Sequence, residues 1–199
     1  MNRLPPRAGC YFGLDSHWHL NADIGELRAI VADPLSLARW WSAVFMRAEV
    51  MEPGGDGFEG MTVRFHTKGL LPHTFQFAAR IVRAGEDELA IETQGDFVGG
   101  AAIRTRSAPG GVHVHIAWRV LVRQPYIRPF LRIFHPIFAA NHRWAMRRGH
   151  EGLEQEIIRR RRGSRDAVSA AAQTPAFPHN LFLVRRAFRW TRSPMRWSG

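Results

Sequence analysis

"VHVHIAWRVLV", residues 112–122, is the stretch on which the fold turns. Val112, Val114, Ile116, Trp118 and Val120 fall on one side of an extended chain, His113 and His115 on the other. A two-residue period of this kind marks a β-strand with one face in a core. Five further runs precede it: "GGAAIRTRS" (99–107), "LAIETQGDF" (89–97), "HTFQFAARIVR" (73–83), "GMTVRFHTKG" (60–69) and "AVFMRAEVME" (43–52). The turn sequences "APGG", "AGEDE" and "PGGDG" separate several of them. Short strands punctuated by turn residues read as an antiparallel meander.

Further outward the texture changes. "YFGLDSHWHL" (11–20) is another half-buried strand, with Leu14, Ser16, Trp18 and Leu20 on one side and Asp15, His17 and His19 on the other. In "NADIGELRAIVADP", Ile24, Leu27, Ile30 and Val31 form a helical stripe; Asn21 is a candidate cap, and Glu26 and Arg28 are expected to point outward. Asp33-Pro34 ends that helix and starts a shorter one, "PLSLARWW". Beyond residue 122 comes a long helical segment. Its apolar or small positions are Phe134, Phe138, Ala145, Gly149, Leu153 and Ile157, and a kink or break is expected at Pro136. A sheet face must be covered, and only this last helix is long enough to cover a seven-stranded sheet. The two helices carry the chain away after the first strand, so strands one and seven become natural neighbours.

The order strand, two short helices, six strands, long helix resembles the helix-grip fold of the START-like, or SRPBCC, superfamily. Polyketide cyclases, lipid-transfer START domains and coenzyme Q-binding proteins are among its members. The local resemblance lies in "DPLSLARWW" and "NHRWAMRRGHEGLEQEI", the second similar to bacterial polyketide cyclase/dehydrase or lipid-transport proteins. The expected fold class is α+β, with a seven-stranded curved antiparallel sheet wrapped around the C-terminal helix. Residues 10–162 form the expected ligand-binding domain, and 163–199 a linker and basic amphipathic tail. The resemblance implies a cavity between sheet and helix that holds a hydrophobic lipid-like or polycyclic molecule. Strand parity nominates Phe65, Phe75, Phe77, Ile91, Ile103 and Trp118 as its walls, and Phe134 and Phe138 as its cover. Asn141 and His142, one turn before Ala145, are candidates to orient a ligand carbonyl or hydroxyl. Trp40 and Trp41 are expected near the cavity entrance, by the same resemblance. The same residues also suit an ordinary packed core.

Two His-x-His pairs, His17/His19 and His113/His115, raise the question of zinc. Parity puts all four on the outer face if strands one and seven pair, where nothing fixes a tetrahedron and Arg119 adds a repelling charge. No metal and no cofactor is expected. No inward acid–base pair is found, nor a phosphate-binding loop, a serine nucleophile motif or a Cys/His pair, so no catalytic residue is nominated. A polyketide cyclase or dehydratase using His142 and Asn141 remains the enzymatic alternative.

Charge is unevenly spread. Residues 1–158 carry a net +2, and residues 159–199 carry +9 of the total +11. A nearly neutral domain argues against a nucleic-acid-binding fold. In "HNLFLVRRAFRWTR" (179–192), Arg185, Arg186, Arg189 and Arg192 share one helical face, with Phe188 and Trp190 among the apolar residues opposite. That is the pattern of an interfacial membrane helix. An interaction protein acting through this tail, on membrane or nucleic acid, is the second alternative. Cys10, the single cysteine, excludes an internal disulfide. "AGC" at 8–10 lacks the apolar stretch of a lipoprotein signal, and with no apolar h-region in "MNRLPPRAGCYFGL" this segment is not expected to act as a secretory signal. A cytoplasmic protein, peripheral at the inner membrane face through its tail, is expected.

Overall fold

The structure, a computed structural model, describes residues 11–70, 74–122 and 135–163. Its strands are β1 (Tyr11–Leu20), β2 (Phe45–Glu52), β3 (Thr62–Lys68), β4 (Thr74–Ala84), β5 (Glu88–Gly95), β6 (Phe97–Ala108) and β7 (Gly111–Val122). Its helices are α1 (Ile24–Val31), α2 (Leu37–Trp40) and α3 (His135–Arg161). The seven strands form one antiparallel sheet in the order β1-β7-β6-β5-β4-β3-β2. Consecutive strands pair because their connections are short. β1 pairs with β7 instead of β2, because α1 and α2 carry the chain across to the far edge.

Register shifts between Phe45 and Arg47, Val50 and Glu52, and Ile81 and Arg83 interrupt the ladders. Bulges of this kind bend strands and increase twist, which suits a sheet curving around a helix. At Gly99, φ is +146° and a Cβ would lie 2.9 Å from Val120 Cα. The close approach of β6 to β7 therefore requires glycine there.

Three local expectations change. The cap of α1 is Asp23, not Asn21: Asp23 Oδ1 accepts from Glu26 N–H at 2.7 Å, and Glu26 Oε2 accepts from Asp23 N–H at 3.0 Å. This reciprocal capping box satisfies two otherwise orphaned donors. Glu26 does not simply face solvent, since Arg161 also donates to it at 2.7 Å. The shorter helix is a 3₁₀ turn, Pro34–Ser36, running into the single turn of α2. The kink or break expected at Pro136 turns on the segment before it, and residues 123–134 lie outside the described residues. Phe134 and the 163–199 tail beyond Gly163 lie outside the described residues.

Glycine sets how closely α3 docks. A Cβ at Gly152 would overlap the Trp40 carbonyl oxygen, and one at Gly149 would lie 2.5 Å from the Trp41 ring. Farther along, Glu156 is 2% exposed and accepts from Arg39, Arg159 and Arg160 at 2.7, 2.6 and 2.9 Å. Burial opposes its ionisation, but these hydrogen bonds outweigh that and hold its pKa down at about 2. Among the described residues the buried apolar side chains do not merge into one core. They form three clusters: Trp18, Leu20, Ile30, Val112 and Leu153 under α1 and α3; Phe12, Phe75, Val120 and Val122; and Met61, Val63, Phe65, Phe77 and Ala79.

Candidate functional site: a cavity under the long helix

Space remains where the three clusters face one another. It is a cavity of about 370 Å³ between the concave face of the sheet and α3, with α1 and α2 alongside. That volume lies within the range of small-molecule sites. The inward positions of four strands supply the walls: Phe65 on β3, Phe75 and Phe77 on β4, Ile91 on β5 and Ile103 on β6. β7 adds Trp118; α2 adds Trp40, and Trp41 follows it; α3 adds Phe138, Asn141, His142 and Ala145. An aromatic chain holds one end: Phe75 and Phe97 at 4.6 Å between centroids, Phe77 and Phe97 at 5.3 Å, and Phe97 and Trp118 at 6.0 Å. Phe138 crosses Phe12 edge-on at 5.8 Å.

The tryptophans are fixed by their polar ends. Trp40 Nε1–H donates to Ser36 Oγ at 3.1 Å, and Trp41 Nε1–H to the Ala145 carbonyl at 2.9 Å. The second bond ties α2 to α3 beside the cavity, so Trp41 both packs and anchors.

Polar groups in the wall are few. Among the lining residues the ionisable side chains are Asp33, Lys68 and His142. His142 Nε2 lies 3.3 Å from Ser16 Oγ, and burial pushes the imidazole below its ordinary value, so it is neutral at neutral pH. Asn141 Oδ1 accepts from Leu70 N–H at 2.7 Å, which ties α3 to the end of β3. The apolar wall with this small polar group suits binding of an apolar molecule carrying one polar feature.

No protein-family model matches the chain, and no curated protein matches it significantly. Solved structures do match. A START superfamily protein from Mycobacterium smegmatis superposes with a TM-score of 0.60 at 14% identity, covering 74% of this chain and 97% of that one. This is the START-like helix-grip fold. The Zhui aromatase/cyclase from Streptomyces sp. R1128 matches with a TM-score of 0.57 at 14% identity, covering 75% and 95% of the two chains. Ara h 8.0201 matches at 0.50 and 14%, covering 74% and 98%. At such identities the likeness establishes the architecture, and the chemistry of the START-like cavity rests on its own residues.

The histidine pairs lie on the opposite face of the sheet. His17 stands across from His115 and His19 across from His113, with ring centroids 4.5 and 4.8 Å apart. His115 Nε2 meets Asp15 Oδ1 at 2.9 Å. Arg119 is not the bare repelling charge expected: it donates to Asp15 and, at 3.0 Å, to the Leu14 carbonyl. Asp15 neutralises it within the same patch.

Sequence reasoning passed over two residues at the site. Ser16 carried a signal, since it shares parity with Leu14 and Trp18, yet its pairing with His142 crosses 126 residues. Lys68 is the only lysine in the chain. It alternates with inward Thr67 and gave no sign of burial, but it is 6% exposed and borders the cavity at the end of β3. Burial lowers its pKa.

Proposed function

We propose that this START-like domain binds, and passes on, a hydrophobic lipid-like or polycyclic small molecule held between the sheet and α3. The observation that carries the reading is the cavity of about 370 Å³, walled by phenylalanine, tryptophan and isoleucine with only a small polar group. Large aromatics would normally close such a space. Leaving it open forfeits dispersion contacts and costs stability, roughly 24 cal/mol per Å³ in a measured series of other cores. A ligand that fills the space recovers those contacts. Native mass spectrometry of the gently purified full chain tests this: the expected result is a co-purifying apolar molecule at one per chain, released on denaturation. A chain that carries nothing, and displaces no fluorescent apolar probe, counts against the reading.

A second reading, an enzyme of the polyketide cyclase or dehydratase type, draws on His142. A neutral imidazole beside a hydroxyl in an apolar cavity can accept a proton. Its weakness is the missing acid: among the described residues Asp33 is the only carboxylate in the wall, it stands before the 3₁₀ turn, and it faces Arg160 of α3 at 3.8 Å rather than His142.

For the tail we propose recruitment to anionic membranes, with residues 179–192 as an interfacial helix and the domain held close by its linker. The support is the sequence pattern of Arg185, Arg186, Arg189 and Arg192 opposite Phe188 and Trp190. Each arginine near an anionic surface contributes about 1 kcal/mol. Replacing all four by alanine in the full chain should abolish co-sedimentation with anionic vesicles, and salt should weaken the unaltered chain's binding. Unchanged co-sedimentation would remove the proposal.

A further inference from the structure

The cavity reading leaves open what polar feature its ligand carries, and Asn141 narrows it. A backbone N–H can only donate, so the Asn141 atom facing Leu70 N at 2.7 Å is the oxygen. The amide NH₂ then lies on the other side of the carboxamide plane. It makes no hydrogen bond to any described residue. The group cannot easily turn over, because doing so would set NH₂ against N–H. It is also laid against Gly69, where an added Cβ would come within 2.8 Å of Nδ2. Asn141 therefore presents donors from a fixed position in the cavity wall, its acceptor already engaged.

The neighbouring groups decide between a neutral and an anionic acceptor. His142 is kept neutral by its surroundings, and its Nε2 is occupied by Ser16. Lys68 borders the same end of the cavity. It is not free there, because it already has an interaction of its own. A carboxylate moved into so apolar a cavity would lose hydration, and the lysine that lines it is already engaged elsewhere. A carbonyl oxygen needs only a donor.

We propose that Asn141 is the specificity-determining residue of the cavity and selects ligands bearing a neutral carbonyl oxygen, such as a ketone or ester, on an otherwise apolar body. The inference rests on the cavity being a ligand site, and the test separates the two.

Three probes of nearly equal size serve: 2-acetylnaphthalene, 2-ethylnaphthalene and 2-naphthoate. Each is titrated against the full chain loaded with the fluorescent apolar probe N-phenyl-1-naphthylamine. One hydrogen bond to a group otherwise unpaired gives about a tenfold preference. The ketone should thus bind about tenfold tighter than the ethyl compound, and naphthoate more weakly than the ketone. Asn141→Asp keeps an oxygen for Leu70 N–H but replaces the donors with an acceptor. It should bring the ketone-to-ethyl ratio to about one or below, while its melting temperature, measured alongside, reports the Leu70 tie. Equal binding of ketone and ethyl compounds by the unaltered chain overturns the inference and leaves the cavity reading standing. So does tightest binding of naphthoate, which would place a cation at the pole, or an unchanged ratio in Asn141→Asp. If the fluorescent probe and all three naphthalenes fail to bind, the cavity reading itself falls. Should Asn141→Asp not fold, the ranking by the unaltered chain still decides.

Discussion

The two halves of α3 meet the sheet in opposite ways. From Gly149 to Ile157 the helix is pressed down: glycine faces the tryptophans, Leu153 and Ile157 are buried, and Glu156 gathers three arginines. From Phe138 to Ala145 the same helix stands over open space, with Phe138, Asn141, His142 and Ala145 in a cavity wall. One rigid rod is thus clamped at its C-terminal half and spans at its N-terminal half. A cavity under a helix needs such a clamp, because apolar walls left unrestrained would collapse toward native packing density.

The contrast can be broken most severely at Gly152. Gly152→Ala adds a methyl where the Trp40 carbonyl already sits, so either α2 or α3 must move. The expected loss is about 3 kcal/mol, the upper end for overpacking, despite a helix-propensity gain of about 1 kcal/mol. Urea denaturation measures it. A loss below about 1 kcal/mol would show that the docking is looser than the geometry implies.

Next comes the carboxylate of the clamp. Glu156→Gln leaves three arginines facing a neutral amide. It should cost about 2 kcal/mol at neutral pH, less than a fully buried pair because the arginines keep some contact with water. Glu26, bonded by Arg161 and by Asp23 N–H, is likewise held at about 2. Both folded-state values lie below the ordinary 4.5, so their stabilisation is fully present above about pH 4.5 and is lost as pH falls toward 2. The unaltered chain should therefore lose stability across that window, and Glu156→Gln should flatten part of the slope in thermal melts. Parallel slopes for the two proteins would mean that Glu156 is not the group responsible.

The spanning half should respond to added volume in the reverse sense. Ala145→Leu extends into the cavity from a residue of the wall whose backbone carbonyl accepts from Trp41 Nε1–H. Stability should change by less than about 1 kcal/mol, while displacement of an apolar probe weakens sharply. A large stability loss with probe binding intact would mean the space under this half is not the ligand site. Smallest of all should be the effect of His17→Ala with His19→Ala on the outer face: within about 0.5 kcal/mol, with probe binding unaltered.

Much of this was legible in residue order. Alternation placed Val63, Phe65 and Thr67, then Phe75, Phe77, Ala79 and Ile81, on the face that lines the cavity. It did so because a strand's period of two is independent of its partners. The pairing of β1 with β7 followed from connection lengths. Gly149 and Gly152 in a helix pointed to close packing, since they cost helix stability and must be offset. Less legible was the cap of α1, because Asn21 and Asp23 are both good capping residues and only the reach of Glu26 separates them.

The sequence by itself determined the elements, their inward faces and the concentration of positive charge in the tail, because period, turn chemistry and charge are local properties. Only the tertiary structure decided that the aromatics leave a cavity instead of closing a core. A void is a property of distances among the three clusters, and the same phenylalanines would serve either outcome. It alone also joined Ser16 to His142, Leu70 to Asn141, and Arg39 to Glu156, across 126, 71 and 117 residues. Such pairs are set by how a curved sheet and a long helix come together, and no spacing along the chain encodes them.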